Sequence, residues 1–324
     1  MKTALPINST VIDARTQLFE KFASAEPFPH IVIDDFLTER LAGQLLAEFP
    51  RFDPVQARAE TGQIGRKAVV ENMGEISPAF AELHAVIQSD DFLSLIGDIT
   101  GIKNLLFDPE YYGGGTHENL TGQGLHYHVD FNYHPIRKWH RRLNLIIFLN
   151  HEWQREWGGN LQLIRDAWQD RGEPDVEIEP VFGRAVIFET SERSWHGFEA
   201  IGHGPGGAEL SRKSIALYFY TVVRPPNEIT AEHGTYYVGR PLPQWCSAGF
   251  TLTDEHVAAL RDQISQREQW VKFMYEREVK WSSEMGELHQ EVTAHRNRII
   301  ALESSRAYRI GRLMTAPARF LRRK

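Results

Sequence analysis

Apolar positions change their spacing twice along this chain, and the changes divide it. From Val11 to Ala25 they recur at helical intervals, and Pro27 and Pro29 end the run. His30 to Phe36 reads as a short strand. Thr38 is placed to cap a helix carrying Leu41, Leu45, Leu46 and Phe49, and a further helix is expected from Pro78 to Ile99, turning Leu83, Ile87, Phe92 and Ile96 to a core. Between them, residues 50–75 are polar and irregular. From about residue 104 to 223 the apolar runs shorten and become β-rich: Leu143–Leu149, Gly159–Ile164, Ala185–Phe188 and Ser214–Thr221, each bounded by turn formers. Many short strands of this kind predict a sandwich or barrel.

Residues 225–253, with Pro225, Pro226, Pro241 and Pro243, read as an extended connection. Beyond Asp254 the helical spacing returns. Val271, Met274, Glu278, Trp281, Met285, Leu288, Val292, His295, Ile299 and Leu302 follow alternating steps of three and four, a heptad seam. Such a seam either packs on its own domain or joins chains, and 271–302 is the candidate for a homo-oligomer. The expected divisions are an N-terminal helix over 1–27, a β-rich domain with helical support over 28–224, the connection 225–253, a helical segment 254–303 and a basic tail 304–324.

Composition narrows the class. With 42% hydrophobic and 24% charged residues the 324-residue chain is that of a folded protein. The 43 acidic against 36 basic side chains speak against nucleic-acid binding. One cysteine, Cys246, excludes an internal disulfide framework and fits a reducing compartment. The start of the chain lacks a signal-peptide run, and no apolar stretch is long enough to span a bilayer, so the expectation is a cytoplasmic protein. The basic tail alternates arginines with Tyr308, Ile310, Leu313, Met314 and Phe320. It is either a solvated end or a peripheral contact with an anionic membrane surface, which would be the inner membrane.

The chemistry concentrates in Gly124-Leu-His126-Tyr-His128-Val-Asp130. On a strand, residues two apart share a face, so His128 and Asp130 project together. A further histidine, His196, follows the strand-like Ala185–Phe188. Two histidines and one carboxylate make the facial triad of non-haem iron oxygenases, which leaves metal positions open. His126 with His128 is a competing pair, and His203, in a Gly/Pro-rich loop, a competing distal ligand. Sixteen residues past His196, Arg212 shares a strand face with the small Ser214 and Ala216, while Lys213, Ile215, Leu217 and Phe219 take the other. An arginine flanked by small residues suits a bidentate grip on a carboxylate, with Lys213 as the alternative partner. Gly113–Gly115 is read as a tight turn, since no P-loop lysine follows it. His134, His140 and His151 are read as surface histidines or as support for the site.

Together His128-Val-Asp130, His196 and the Arg212-Lys-Ser-Ile-Ala strand resemble the 2-oxoglutarate- and Fe(II)-dependent dioxygenases, in their prolyl 4-hydroxylase-like branch. Arg141-Arg142-Leu-Asn144-Leu-Ile-Ile-Phe148 and Trp157-Gly158-Gly159-Asn160-Leu-Gln-Leu163 resemble the intervening strands of that branch. The resemblance spans about residues 28–224. It implies a mainly β protein with flanking helices, built on a double-stranded β-helix (a cupin-like jelly roll), here with a long C-terminal helix or coiled coil. It further implies His128, Asp130 and His196 as iron ligands and Arg212 on the far carboxylate of 2-oxoglutarate. Asn144 or Tyr112 would touch the near end of that cosubstrate. Fe(II), 2-oxoglutarate and O₂, with ascorbate as reductant, are the implied cofactors, and hydroxylation of an unactivated C–H bond, with release of succinate and CO₂, the implied reaction. The organic substrate is left open among peptidyl or prolyl groups, small molecules and glycan-linked intermediates; the loops expected to choose it are roughly 50–75, 131–140 and 166–180. The competing reading is a non-catalytic cupin-like scaffold in surface-polysaccharide biosynthesis.

Overall fold

The computed structural model describes residues 5–51, 68–70, 73–168, 174–239, 242–243, 245–308 and 310. Most of the irregular 50–75 stretch, part of 166–180 and most of the basic tail lie outside them. The chain divides into two units, Met1–Ser247 and Ala248–Lys324.

The first unit runs α1 (Ser9–Asp13), α2 (Arg15–Ser24), β1 (His30–Ile33), α3 (Glu39–Ala47), β2 (Ala68–Val70), α4 (Pro78–Ile87), α5 (Asp90–Thr100), β3 (Leu106–Phe107), β4 (Gly115–Leu120) and β5 (Leu125–Val129). It continues with β6 (His140–Phe148), β7 (Leu161–Ile164), β8 (Val176–Ile178), β9 (Ala185–Glu189), β10 (Trp195–Phe198), β11 (Ser211–Thr221) and β12 (Tyr236–Val238). The larger sheet has the order β1-β9-β6-β11-β4-β2, with β3 on β11; the smaller is β12-β5-β10-β7-β8. Every recorded pairing is antiparallel and most neighbours are distant in sequence, as in a jelly roll.

Alternation along the strands assigns the faces. Leu143, Leu145 and Ile147 of β6 and Ile215, Leu217 and Phe219 of β11 pack with Leu41, Leu45, Phe80, Leu83, Phe92 and Ile96 of the helices. The opposite face of the same sheet gives Phe148, Val186 and Phe188, which pack on Leu161, Leu163 and Ile178 of the smaller sheet. One sheet thus has helices on its outside and the second sheet on its inside, and the inside is where His128, His196 and Arg212 are found.

Two helices read as continuous are divided. The expected Pro78–Ile99 helix breaks at Ser89, whose hydroxyl accepts from Phe92 N and starts α5 afresh, while Ser77 caps α4 in the same way. The Val11–Ala25 helix is interrupted at Ala14. In the supposed connection, β12 pairs with β5, so the β-structure continues past residue 224.

The second unit contains α6 (Asp254–Ser304), opened by a capping box: Thr253 Oγ1 accepts from His256 N, and His256 Nδ1 accepts from Thr253 N. Among the described residues, no helix is long and apolar enough to cross a membrane.

Candidate metal and cosubstrate site

β5 and β10 are hydrogen-bonded neighbours, and His128 stands directly opposite His196 across them. Their ring centroids are 4.1 Å apart. Asp130, just past the end of β5, completes the group: its Oδ1 lies 3.7 Å from His128 Nε2 and its Oδ2 3.6 Å from His196 Nε2. Gly197 is what lets the strands come this close, because a Cβ there would fall 2.7 Å from Leu125 O.

The tautomers follow from the backbone. Each histidine Nδ1 meets a main-chain carbonyl, His128 that of His126 and His196 that of Ser194, both at 2.9 Å. A carbonyl only accepts, so both Nδ1 atoms carry the proton and both lone pairs lie on Nε2, beside the carboxylate. Burial, partly opposed by Asp130, pushes His196 below its ordinary pKa and keeps it neutral. Burial works against the charge on Asp130 too, but the Arg141 guanidinium and a hydrogen bond from Asn144 outweigh it and hold the carboxyl well below the usual carboxylate range. Two neutral imidazole lone pairs and one ionised carboxylate within 4.8 Å of one another are a donor set that fits a divalent metal such as Fe(II).

Arg141 and Asn144 restrain that carboxylate. Asn144 Nδ2 donates to Asp130 Oδ2 at 2.8 Å, and Arg141 Nη2 lies 3.1 Å from the same oxygen. Arg141 also donates to Asn144 Oδ1, and its guanidinium sits over the rings of Tyr218 and Phe131. Asn144, one of the two residues expected on the near end of a cosubstrate, has its amide oxygen on Arg141 and a donor on Asp130. Tyr112, the alternative, lies in the turn before β4, is 48% exposed and sets its ring edge-on to Phe131.

Arg212 is 4% exposed, and its stem crosses Gly159, whose carbonyl accepts from Nε at 2.7 Å. At Gly159, with φ +68°, a Cβ would meet Ile201 at 2.9 Å and the Arg212 side chain at 3.3 Å. The guanidinium lies 4.3 Å from the Phe198 ring and 5.0 Å from that of Phe148. Among the described residues no carboxylate pairs with it, and burial alone pushes its pKa down to about 9. Phe198 shares a face of β10 with His196, two residues or roughly 7 Å along the strand, so the arginine against Phe198 belongs to the same interior.

The competing candidates sit elsewhere. Lys213 faces the other way and pairs with Glu118 at 3.1 Å; His203 is exposed in its loop. His151 is exposed and stacks on Phe182, and His140 is half-buried. His134 is fully buried, which the sequence reading did not expect of it in particular. Its Nδ1 accepts from Ile136 N and Arg137 N, and its Nε2 donates to Asp108 at 3.1 Å. With Glu110, which Arg137 grips, these residues form a second compact His/Asp/Glu group. Their hydrogen bonds are those of a latch between two turns, with both imidazole nitrogens already committed.

Two contributors escaped the sequence reading. Strict alternation puts Arg141 on the face opposite Asn144; a bulge at Arg142, where β6 slips against β11, turns it onto the Asn144 face. Tyr237 of β12 stacks on His128, with centroids 4.8 Å apart. Its strand is too short to announce itself by periodicity.

Residues 114–220, about a third of the chain, match the family model described as the 2OG-Fe(II) oxygenase superfamily. A search of curated proteins gives no match. Among solved structures, similarity is found to a Trichoplax adhaerens prolyl hydroxylase in complex with a hypoxia inducible factor oxygen degradation domain peptide fragment, at 18% identity over 65% of this chain and 91% of that one, with a TM-score of 0.45. A Pseudomonas putida prolyl-4-hydroxylase gives 19%, 65%, 95% and 0.39. HygX from Streptomyces hygroscopicus, with nickel, 2-oxoglutarate and hygromycin B bound, gives 13%, 68%, 95% and 0.42. The family match spans β4 to β11 and contains the histidine pair, the aspartate and the buried arginine, and it places this part of the chain in the 2OG-Fe(II) oxygenase superfamily.

Proposed function

We propose that this protein is an Fe(II)- and 2-oxoglutarate-dependent dioxygenase that hydroxylates an unactivated C–H bond, with His128, Asp130 and His196 holding the metal and Arg212 holding the far carboxylate of 2-oxoglutarate. The observation that carries the reading is Arg212. A buried guanidinium with no carboxylate partner among the described residues, in the same interior as a His/Asp/His donor set, fits an anion that also reaches the metal. Bound iron, with 2-oxoglutarate and O₂, supplies the oxidising power, and 2-oxoglutarate leaves as succinate and CO₂.

The chain's own residues bind, orient and keep water out. The backbone carbonyls at 126 and 194 fix both imidazole tautomers. Arg141 and Asn144 hold the Asp130 carboxylate in one orientation and in its ionised form. Phe148, Phe188 and Phe198 line the space between histidine and arginine with apolar surface, which strengthens the grip of Arg212 on a carboxylate. Keeping Asp130 favours hydroxylation over halogenation, which would need its position for a halide. A scaffold without turnover would have no use for an uncompensated cation buried beside a metal-ready triad.

The substrate is proposed within the three classes named from the sequence, and the prolyl label remains analogy. A cytoplasmic location, contact of the basic tail with an anionic membrane surface and self-association through the C-terminal helix complete the proposal. The test is Fe(II)-dependent release of succinate from 2-oxoglutarate, screened with peptides, small molecules and nucleotide sugars. His128→Ala and Asp130→Ala are each expected to abolish it and to weaken Fe(II) binding; full activity in either would overturn the ligand assignment.

A further inference from the structure

We propose that α6 pairs with α6 of a second copy as a parallel, in-register, two-stranded coiled coil over residues 257–302. The inference is independent of the chemistry assigned to the barrel.

α6 is 51 residues long, about 77 Å. Within its own unit nothing among the described residues covers its apolar seam: Val271, Met274, Trp281, Met285, Leu288 and Val292 are each more than half exposed. A helix of that length with a bare apolar stripe leaves much hydrophobic surface in water. The stripe has the 3.5-residue period that supercoils with a like helix.

The residue types select the pairing. With Val257 at the first core position of a heptad, that position also holds Ile264, Val271, Val292 and Ile299, all β-branched. The first position also holds Met285, and the second holds Leu260, Met274, Trp281, Leu288 and Leu302. β-Branched residues at the first position with Leu at the second favour parallel pairs over larger bundles.

The polar interruptions fit the same geometry. Arg267, Glu278 and His295 occupy core positions, where an opposite charge on the other helix offsets the cost of burial. In a parallel in-register pair, the first core position packs beside the residue that precedes it in the other helix. Glu278 therefore lies beside Arg277 of the second copy. The second core position packs beside the residue that follows it, so Arg267 lies beside Glu268 of the second copy. Flanking positions are complementary as well: Glu291 faces Arg296, and Arg298 faces Glu303, across the pair. The charges that break the stripe as a hydrophobic face thus become its register marks.

The test uses the full chain. Light scattering at tens of micromolar is expected to give twice the 37.2 kDa chain mass; a monomer would overturn the proposal. Glu278→Arg and Arg277→Glu should each raise the dimer dissociation constant at least about tenfold, and the double swap, which recreates the cross-chain pair with reversed signs, should restore it to within about threefold. Singles without effect, or a double that is worse than both, would contradict the register. Direction is read by cross-linking in a Cys246→Ser background. Met285→Cys faces itself only in the parallel register and should oxidise to a covalent dimer. An antiparallel pair puts position 285 near position 274, so a dimer that cross-links only when Met285→Cys is mixed with Met274→Cys would overturn the parallel assignment.

Discussion

Arg212 and Arg141 are both buried guanidinium groups, and their surroundings differ in the way their tasks require. Arg141 lies beside the ionised Asp130 and keeps its charge inside the fold. Arg212 has aromatic rings and one backbone carbonyl, so its charge waits for an anion. Arg212→Met is expected to raise the KM for 2-oxoglutarate about 10- to 100-fold, since charge-assisted hydrogen bonds contribute about 1.5–3 kcal/mol, with a smaller change in kcat; initial-rate kinetics would show it, and an unchanged KM would move the carboxylate elsewhere. Asn144→Ala removes a donor from Asp130 and an acceptor from Arg141. It is expected to weaken Fe(II) binding about 10- to 100-fold, measured by competition with a metal indicator. At this scale the sequence revealed whatever obeys period two. His128 with Asp130, and Arg212 with Ser214 and Ala216, were placed by alternation alone. Arg141 was not, because the bulge at Arg142 puts it on a face that strict alternation denies it. The part played by Asn144 depends on Arg141 and was hidden with it.

β11 joins the two halves of the domain. Its interior face carries Arg212 toward the smaller sheet, and its outer face buries Ile215, Leu217 and Phe219 against the helices. That division was legible, because a polar and small face alternated with an apolar one along a long strand. Leu217 is 2% exposed, and Leu217→Ala should destabilise the fold by about 2–5 kcal/mol. Denaturant unfolding with an unchanged slope checks this; a loss under 1 kcal/mol would mean that the helices do not depend on this face. The interrupted helix at Ser89 and the strand β12 were less visible. The first depends on one capping hydroxyl within an otherwise helical pattern, and the second on a three-residue pairing with β5, more than 100 residues earlier in the chain.

For the whole molecule, the two units follow different rules. The described residues of the first unit form apolar clusters within it, shared by helices and sheets or by the two sheets. Along α6 apolar residues stay exposed within their own unit at a heptad period, as the proposed pairing with a second copy requires. The central claim concerns the first unit: its interior holds a metal and a dicarboxylate together, the metal at the His/Asp/His end and the carboxylate at Arg212. The most direct measurement is an anaerobic titration of Fe(II) into the protein with and without 2-oxoglutarate, followed by visible absorption. The account predicts a metal-to-ligand charge-transfer band that appears only when both are present, reaches saturation at one iron per chain and is absent in His196→Ala. A band that persists in His196→Ala, or iron binding that yields no band with 2-oxoglutarate, would contradict it.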